Sequence, residues 1–176
     1  PLTATLDTAV AALTVALGAD TGSSNTDQIT NNDLVNVSDL EAGATWEYRV
    51  DGGSWTAGAG TTFNLSAGTH AYDVRQTDVA GNVSTITSLV SVTLDTAVVT
   101  PVLALASDTG SSNTDKITSN ATVNVSGLES GATWQYRVDG GSWTVGVGTT
   151  FNLTAGTHSY VVRQTDVAGN VSTITS

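Results

Sequence analysis

A repeat with a period of 88 residues is the feature that most constrains the fold of this chain. The 176 residues divide into two copies, 1–88 and 89–176, which agree at 65 of 88 aligned positions and differ at 23. Self-similarity at a fixed spacing marks a tandem array of structural units. A period of 88 is too long for a solenoid repeat and suits one small β-sandwich. We therefore expect two tandem domains. A single domain built from two halves is disfavoured, because each copy carries a full set of strands.

The spacing of apolar residues within each copy has a period of two. Trp46, Tyr48 and Val50 alternate with Glu47 and Arg49, and the same alternation recurs in the other apolar runs. No stretch has the period of an amphipathic helix. Clusters of Gly, Asp, Asn and Ser separate the runs, as turns between strands require. The sequence therefore predicts an all-β chain.

Seven strands are predicted in the first copy, at 13–17, 34–38, 45–50, 54–57, 61–65, 70–77 and 83–94. Seven short strands in about 88 residues favour two packed sheets, so that each copy is an immunoglobulin-like β-sandwich. Trp46 and its counterpart Trp134 fall on the third strand and are expected in the core. Trp55 and Trp143 follow the next turn, and for them both a core and a half-exposed position remain open.

The last strand of the first copy has no full counterpart in the second. Ile86, Val90, Val92 and Leu94 share one parity, which predicts that they face the core together, but the second copy stops before the equivalents of the last three. Residues 1–7 align instead with residues 89–95. The predicted domains are therefore 8–95 and 96–176, the second with an incomplete last strand. Residues 1–7 are the tail of a preceding strand or a donor strand.

Two interpretations remain open for the incomplete last strand of the second copy and the extra strand-like segment at residues 1–7. In the first, the chain is a window cut from a longer array of repeats. In the second, the N-terminal strand of one chain completes the second domain of the next chain. Strand addition to an open edge would then build a head-to-tail filament, because the contact does not close on itself. The expected partners are identical neighbouring repeats, in tandem or head-to-tail.

The charge balance excludes several classes of partner. There are 5 Lys and Arg against 16 Asp and Glu, which gives a formal net charge of -11, and there is no Cys. Nucleic acid and anionic membrane surfaces demand clustered cations, so neither is an expected partner. Without Cys there is neither a disulfide framework nor a thiolate metal site. No apolar run approaches the length of a membrane span, so no membrane insertion is expected.

The acidic residues concentrate in loops that the sandwich topology places at the ends of each domain. Each of the six acids in the second copy has an acid at the equivalent position among the ten of the first. Asp20, Asp27 and Asp51 are expected at one end of a domain, and Glu41 and Asp78 at the other. Tandem domains would crowd such carboxylates at a junction, where a hard cation relieves their repulsion. Ca²⁺ suits such a site, since it accepts six to eight oxygen ligands. The alternative is that these residues only form turns.

Candidates for catalysis are weak. His70 and His158 are each the single His of their copy, which disfavours zinc binding and Ser-His-Asp chemistry. The sequence contains no nucleophile elbow, zinc-protease motif or phosphate loop. The chain is therefore not expected to be an enzyme.

Four runs together resemble a known family. They are DTGSSNTDQIT at 20–30, VNVSDLEAGATWEYRVDGGSW at 35–55, LSAGTHAYDVRQTDVAGNVS at 65–84 and the linker LDTAV at 94–98. They resemble the tandem bacterial Ig-like repeats of giant surface adhesins, including type I-secreted, RTX-type adhesins. The resemblance implies an Ig-like sandwich, arrays of near-identical domains, a role as extender or stalk, and calcium at domain junctions. The linker lacks the Pro that is common in that family. Carried onto this chain, the implied calcium ligands are Asp7, Asp20, Asp27, Asp78, Asp95, Asp108, Asp115 and Asp166.

The favoured function is therefore structural. We expect a calcium-stiffened extender of an extracellular adhesin or filament on a bacterial cell surface. The near-identity of the copies favours this function, because extender domains are repeated with little change, whereas ligand-binding domains at the tip of an adhesin differ from one another. The alternative is an adhesive module that binds carbohydrate or another surface. Such a module needs an exposed aromatic platform, for which Trp55 and Trp143 are the candidates. A hydrolase is disfavoured, since no catalytic constellation is present.

Overall fold

The protein is described by a computed structural model, which covers residues 1–175. The chain divides into two compact units, Pro1–Thr96 and Ala97–Ser176. Every named element within residues 1–175 is a β-strand. None of the described residues forms a helix that is long and apolar enough to cross a membrane.

The first unit contains eight strands. They are β1 (Thr14–Leu17), β2 (Ile29–Thr30), β3 (Leu34–Ser38), β4 (Thr45–Val50), β5 (Thr56–Ala57), β6 (Thr62–Asn64), β7 (Gly68–Thr77) and β8 (Thr87–Leu94). One sheet has the strand order β1-β3-β6 and the other the order β2-β8-β7-β4-β5. All pairings are antiparallel except that of β2 with β8.

The inner faces of the two sheets form one core. The alternation of side chains along each strand explains this, since every second residue points inward. In β3, for instance, Val35 and Val37 are buried while the residues between and beside them are exposed. The buried core residues are Leu13, Val35, Val37, Trp46, Phe63, Leu65, Tyr72, Val74, Val92 and Leu94. The predicted all-β, immunoglobulin-like sandwich is confirmed, and so is the core position of Trp46.

The hairpin between β4 and β5 follows from its turn residues. Asp51 and Gly52 both have positive φ, 49° and 69°, and the Gly53 N–H donates to the Val50 carbonyl at 2.8 Å. Positive φ at both central residues is the signature of a type I′ turn, for which Asp-Gly is a favoured pair. The turn brings β5 antiparallel to β4.

Strand β8 departs from the predicted alternation. Ser91 has a φ of 58°, and the register between β7 and β8 shifts between His70 and Tyr72. This bulge reverses the parity of the strand, so that Leu89 packs toward the core whereas Val90 is 65% exposed. The prediction that Ile86 and Val90 face the core together with Val92 and Leu94 is therefore wrong for the first two.

Strand β2 is an element that the sequence did not predict. Ile29 and Thr30 pair in parallel with Thr93 and Leu94 at the edge of the larger sheet. Two residues are too few for an alternating pattern to register. The strand depends on a partner that lies more than sixty positions further along the chain.

The second unit repeats this architecture with six named strands. They are β9 (Val102–Leu105), β10 (Thr122–Ser126), β11 (Thr133–Val138), β12 (Thr144–Val145), β13 (Thr150–Asn152) and β14 (Tyr160–Thr165). The sheets have the orders β13-β10-β9 and β12-β11-β14. The buried core cluster comprises Val123, Val125, Trp134, Phe151 and Val162. Trp134 therefore occupies the predicted core position as well.

A groove opens beside β14 in the second unit. Within residues 97–175 the edge that β8 covers in the first unit is paired through isolated bridges, such as that of Thr175 with Val162. The groove has a volume of about 770 Å³, and Leu105, Leu153 and Tyr160 are among its lining residues. Leu65 and Tyr72, which correspond to Leu153 and Tyr160, are 7% and 1% exposed in the first unit. In the first unit, β8 is thus the strand that buries this apolar lining.

Candidate functional site

The loop between β1 and β2 holds two of the predicted calcium ligands. The Gln28 N–H donates to Asp20 Oδ2 at 3.0 Å, and the Ile29 N–H donates to Asp27 Oδ1 at 3.1 Å. Asp20 Oδ1 and Gln28 Oε1 are buried and accept no hydrogen bond. A buried acceptor without a donor is costly, and a bound cation satisfies it. These two oxygens are therefore the part of the loop that fits a hard cation.

The second unit reproduces the loop with one change of charge. The Lys116 N–H donates to Asp108 Oδ2 at 2.9 Å, and the Ile117 N–H donates to Asp115 Oδ1 at 3.0 Å. Asp108 Oδ1 is again buried without a hydrogen-bond donor. Lys116 takes the place of Gln28, so the amide oxygen of the first unit has no counterpart here. The two loops share a backbone and differ in how well their side chains suit a cation.

Asp78 and Asp166 are occupied by hydrogen bonds within their own turns. Asn82 donates its backbone N–H to Asp78 Oδ1 at 2.8 Å and its side-chain amide to Asp78 Oδ2 at 2.7 Å. The same pair of bonds joins Asn170 to Asp166, both at 2.8 Å. The bond from the Asn82 side chain is the main cause that lowers the pKa of the Asp78 carboxyl. Both oxygens of Asp78 thus already accept donors that hold the turn.

Asp7 lies beside the same turn of the first unit. The Asn82 side-chain amide donates to the Asp7 carbonyl at 3.3 Å, and the Ala9 N–H donates to Asp7 Oδ1 at 3.3 Å. The Asp95 N–H donates to the Thr30 carbonyl at 2.9 Å. Across residues 1–175 no group of three or more His, Asp or Glu side chains is gathered in a way that would hold a metal ion. A calcium site would therefore draw part of its ligands from backbone and amide oxygens and water.

Each His is committed to an ion pair that leaves no free ring nitrogen. His70 Nδ1 lies 2.7 Å from Asp51 Oδ2, and its Nε2 lies 3.1 Å from the Ala67 carbonyl oxygen. Both partners are acceptors, so the arrangement favours the doubly protonated ring. The bond to Asp51, followed by the bond to Ala67, raises the pKa of His70. His158 repeats these contacts with Asp139 and Ala155. In this geometry neither ring has a nitrogen available to bind a metal or to accept a further proton.

The half-exposed Trp55 has two guanidinium groups over its ring. The Cζ atoms of Arg49 and Arg75 lie 4.6 and 4.0 Å from the ring centroid. Asp73 pairs with Arg49 at 2.8 Å, and Glu47 pairs with Arg75 at 3.0 Å. Trp143 has the same relation to Arg137 and Arg163, at 4.7 and 4.1 Å. Each ring is therefore engaged by cations and is not a free, flat platform.

A buried glutamine in each unit is a feature that sequence reasoning missed. Gln76 is 0% exposed, and its amide nitrogen donates to the carbonyls of Ala11 and Asp39 at 2.9 and 3.1 Å. Its amide oxygen accepts the Glu41 N–H at 3.0 Å. Gln164 makes the equivalent contacts. The alternation along β7 could have revealed this burial, because Gln76 lies two and four residues after Val74 and Tyr72 on the inward face of the strand.

The comparisons with known proteins agree with this architecture. Over 122 residues, which make up 64% of the chain, it is 38% identical to exoglucanase B of Cellulomonas fimi. The chain spans only 11% of the length of that enzyme. Residues 97–176 match the family described as bacterial Ig-like domain. That family is in general not catalytic. The second unit is thus similar in sequence to bacterial Ig-like domains.

Proposed function

We propose that this chain is an extender segment of an extracellular bacterial adhesin or filament. The observation that carries the proposal is the repetition of one sandwich, with 65 of 88 positions identical in the two copies. A spacer gains length from each further copy, and nothing in that role requires the copies to differ. The arginines over Trp55 and Trp143 weaken the alternative of an adhesive module with an aromatic platform.

Calcium binding by the loop carboxylates is the second part of the proposal. The support is chemical, since Asp20 Oδ1 and Gln28 Oε1 are buried oxygens without donors. Calcium bound there would restrain the loop, and calcium on loop and linker carboxylates would stiffen the array. Extracellular calcium modules have dissociation constants of about 10⁻⁴ to 10⁻³ M. At ten times such a constant, each site adds about 1.4 kcal/mol to stability.

Scanning calorimetry with calcium and with EDTA tests this part. The melting temperature is expected to rise with calcium and to stay constant with magnesium at the same ionic strength. Asp20→Asn should remove the rise that belongs to the first unit. In the reverse direction, Lys116→Gln copies the residue of the first loop and should increase calcium binding by the second. A melting temperature that is equal in calcium and EDTA would contradict the calcium proposal.

Head-to-tail strand donation is the third part, and the likeness between residues 1–7 and the end of β8 supports it. Thr5, Leu6 and Asp7 are identical to residues 93–95, and Ala4 stands where Val92 stands. In the first unit Val92 and Leu94 are 1% and 7% exposed, because they cover the core. Leu6 is 88% exposed. Residues 1–7 thus have the sequence to pack against a sandwich core as the end of β8 does.

The bulge in β8 supplies a matched pair of variants. Leu6 aligns with the inward-facing Leu94, whereas Leu2 aligns with the exposed Val90. We expect residues 1–176 to form head-to-tail oligomers in sedimentation velocity. Leu6→Asp should abolish them, since it places a charge in the groove, and Leu2→Asp should leave them. If deletion of residues 1–6 leaves the oligomers unchanged, or if the chain stays monomeric at millimolar concentration, strand donation is refuted.

A further inference from the structure

An arginine pair without acidic partners lies on the outer face of the second unit. Arg137 on β11 and Arg163 on β14 both stand over Trp143. Arg163 donates from Nε and Nη2 to Gln135 Oε1, at 3.1 and 2.8 Å. Arg137 Nε is buried and has no hydrogen-bond acceptor. Within residues 97–175, neither arginine forms an ion pair.

The first unit has the same three residues in a neutralised form. Arg49 Nε donates to Asp73 Oδ2 at 2.8 Å, and Arg75 Nε and Nη2 donate to Glu47 Oε2 at 3.1 and 3.0 Å. The Ser88 hydroxyl donates to the other oxygen of Asp73. Two carboxylates therefore balance two guanidinium groups on this face.

Two substitutions between the copies remove both carboxylates. Gln135 replaces Glu47, and Val161 replaces Asp73. The pairing register places Arg163 and Val145 opposite Gln135, and Val161 opposite Arg137, so all five side chains share one face of the sheet. The face carries two positive charges in a chain whose net charge is -11. Val145 is 65% exposed, and it stands where the first copy has Ala57. The second unit thus combines unpaired guanidinium groups with added apolar surface.

We propose that this face of the second unit binds a carboxylate-bearing polysaccharide, of the polyuronate class. The carboxylate would pair with the guanidinium of Arg137 from the solvent side, because guanidinium groups recognise carboxylates through paired, directional hydrogen bonds. The valines offer apolar surface to the C–H face of a sugar ring. Polyuronates carry one carboxylate per sugar, so two arginines engage neighbouring residues of the polymer. Nucleic acid does not suit the site, since its dense charge requires more cations than this acidic chain provides.

The two copies supply variants that are expected to keep the fold, because each exchanges residues already present in the other copy. Isothermal titration with oligogalacturonate at low salt is expected to give one site per chain. Gln135→Glu with Val161→Asp restores the neutralised arrangement and should weaken binding at least tenfold. Glu47→Gln with Asp73→Val opens the first unit and should raise the stoichiometry to two sites per chain.

Two control ligands decide the identity of the partner. A neutral cello-oligosaccharide of equal length should bind at least tenfold more weakly, and so should an oligoglutamate peptide. Equal affinity for the peptide would overturn the assignment to a polysaccharide. No heat of binding with oligogalacturonate at millimolar concentration, or unchanged binding in the Gln135→Glu, Val161→Asp variant, would overturn the site itself. The proposal does not depend on calcium or on strand donation.

Discussion

Replacing Gln76 by methionine tests whether a single buried amide holds two segments onto β7. These are the segment before β1 and the loop between β3 and β4. Methionine keeps the length of the side chain and removes its polar atoms. The carbonyls of Ala11 and Asp39 then lose their donor, and the Glu41 N–H loses its acceptor. The backbone N–H of Gln76 keeps its bond to Ser84 Oγ, so β7 itself is unchanged.

The expected loss of stability follows from how well water can replace each bond. Leaving a buried polar group unsatisfied costs about 1–3 kcal/mol. Ala11 and Asp39 are exposed residues, so their carbonyls regain water and their cost lies at the lower end. The half-buried Glu41 N–H contributes more. The sum is about 2–4 kcal/mol, which lowers the melting temperature of a domain this size by roughly 10–20 °C.

Scanning calorimetry of the whole chain measures this loss, with hydrogen exchange to assign it. Amides of residues 39–41 should lose protection, while those of the second unit keep theirs. Gln164→Met should produce the same loss in the second unit. Gln28→Lys, measured in EDTA, is the matched control, because the other copy has Lys116 in the same backbone conformation; its effect should lie within about 0.5 kcal/mol. A loss below about 0.5 kcal/mol for Gln76→Met would refute the role of the amide.

Two further predictions concern the core and the pH dependence of the first unit. In Gly58→Ala the new Cβ would lie 2.1 Å from the Trp46 ring, so we expect a loss of about 1–3 kcal/mol or more and an altered tryptophan emission. Ala57→Val, which copies the exposed Val145 of the other repeat, should leave the emission unchanged. The bond to Asp51, then that to Ala67, raises the pKa of His70, so its stabilisation is complete below the ordinary histidine pKa of about 6.5 and is lost as pH rises through the raised value. The difference in melting temperature between wild type and His70→Gln should therefore be larger at about pH 5.5 than at about pH 9, and a constant difference would contradict this.

The sequence predicted the parts of the fold that local patterns determine. Alternation located β3, β4 and β7 within two residues, and the Asp51-Gly52 pair located the hairpin. The bulge at Ser91 was not predicted, because it arises from the pairing of β8 with β7 and local sequence patterns do not reveal that pairing. The burial and hydrogen bonds of Gln76 were not predicted for a related reason. Its partners Ala11 and Asp39 are 65 and 37 positions away in the sequence.

The candidate sites were predictable as residue types but not as arrangements. The acidic loops were visible from the sequence, yet only the structure distinguishes Asp20, which has a buried oxygen without a donor, from Asp78, whose oxygens both accept bonds from Asn82. Equally, the sequence left both a core and a half-exposed position open for Trp55 and Trp143. Their engagement by arginines depends on side chains from β4, β7, β11 and β14 that meet only after the sheets form.

The differences between the copies separate folding from surface chemistry. The first copy carries a net charge of -8 and the second -3, yet both keep the same buried Trp, Phe and Gln in their cores. The side chains of Arg75 and Glu47 are 32% and 37% exposed, and a pair at the surface contributes only about 0–1 kcal/mol. The second copy forms the same kind of sandwich with Gln135 and Val161 in place of Glu47 and Asp73, so the fold does not require those two carboxylates. What changes greatly is the charge on the outer face, from balanced to doubly positive. The fold tolerates this variation, and the variation alters the charge of an exposed face, so it is best explained by what that face contacts. We therefore expect the two repeats to differ in function at the outer face of β11 and β14.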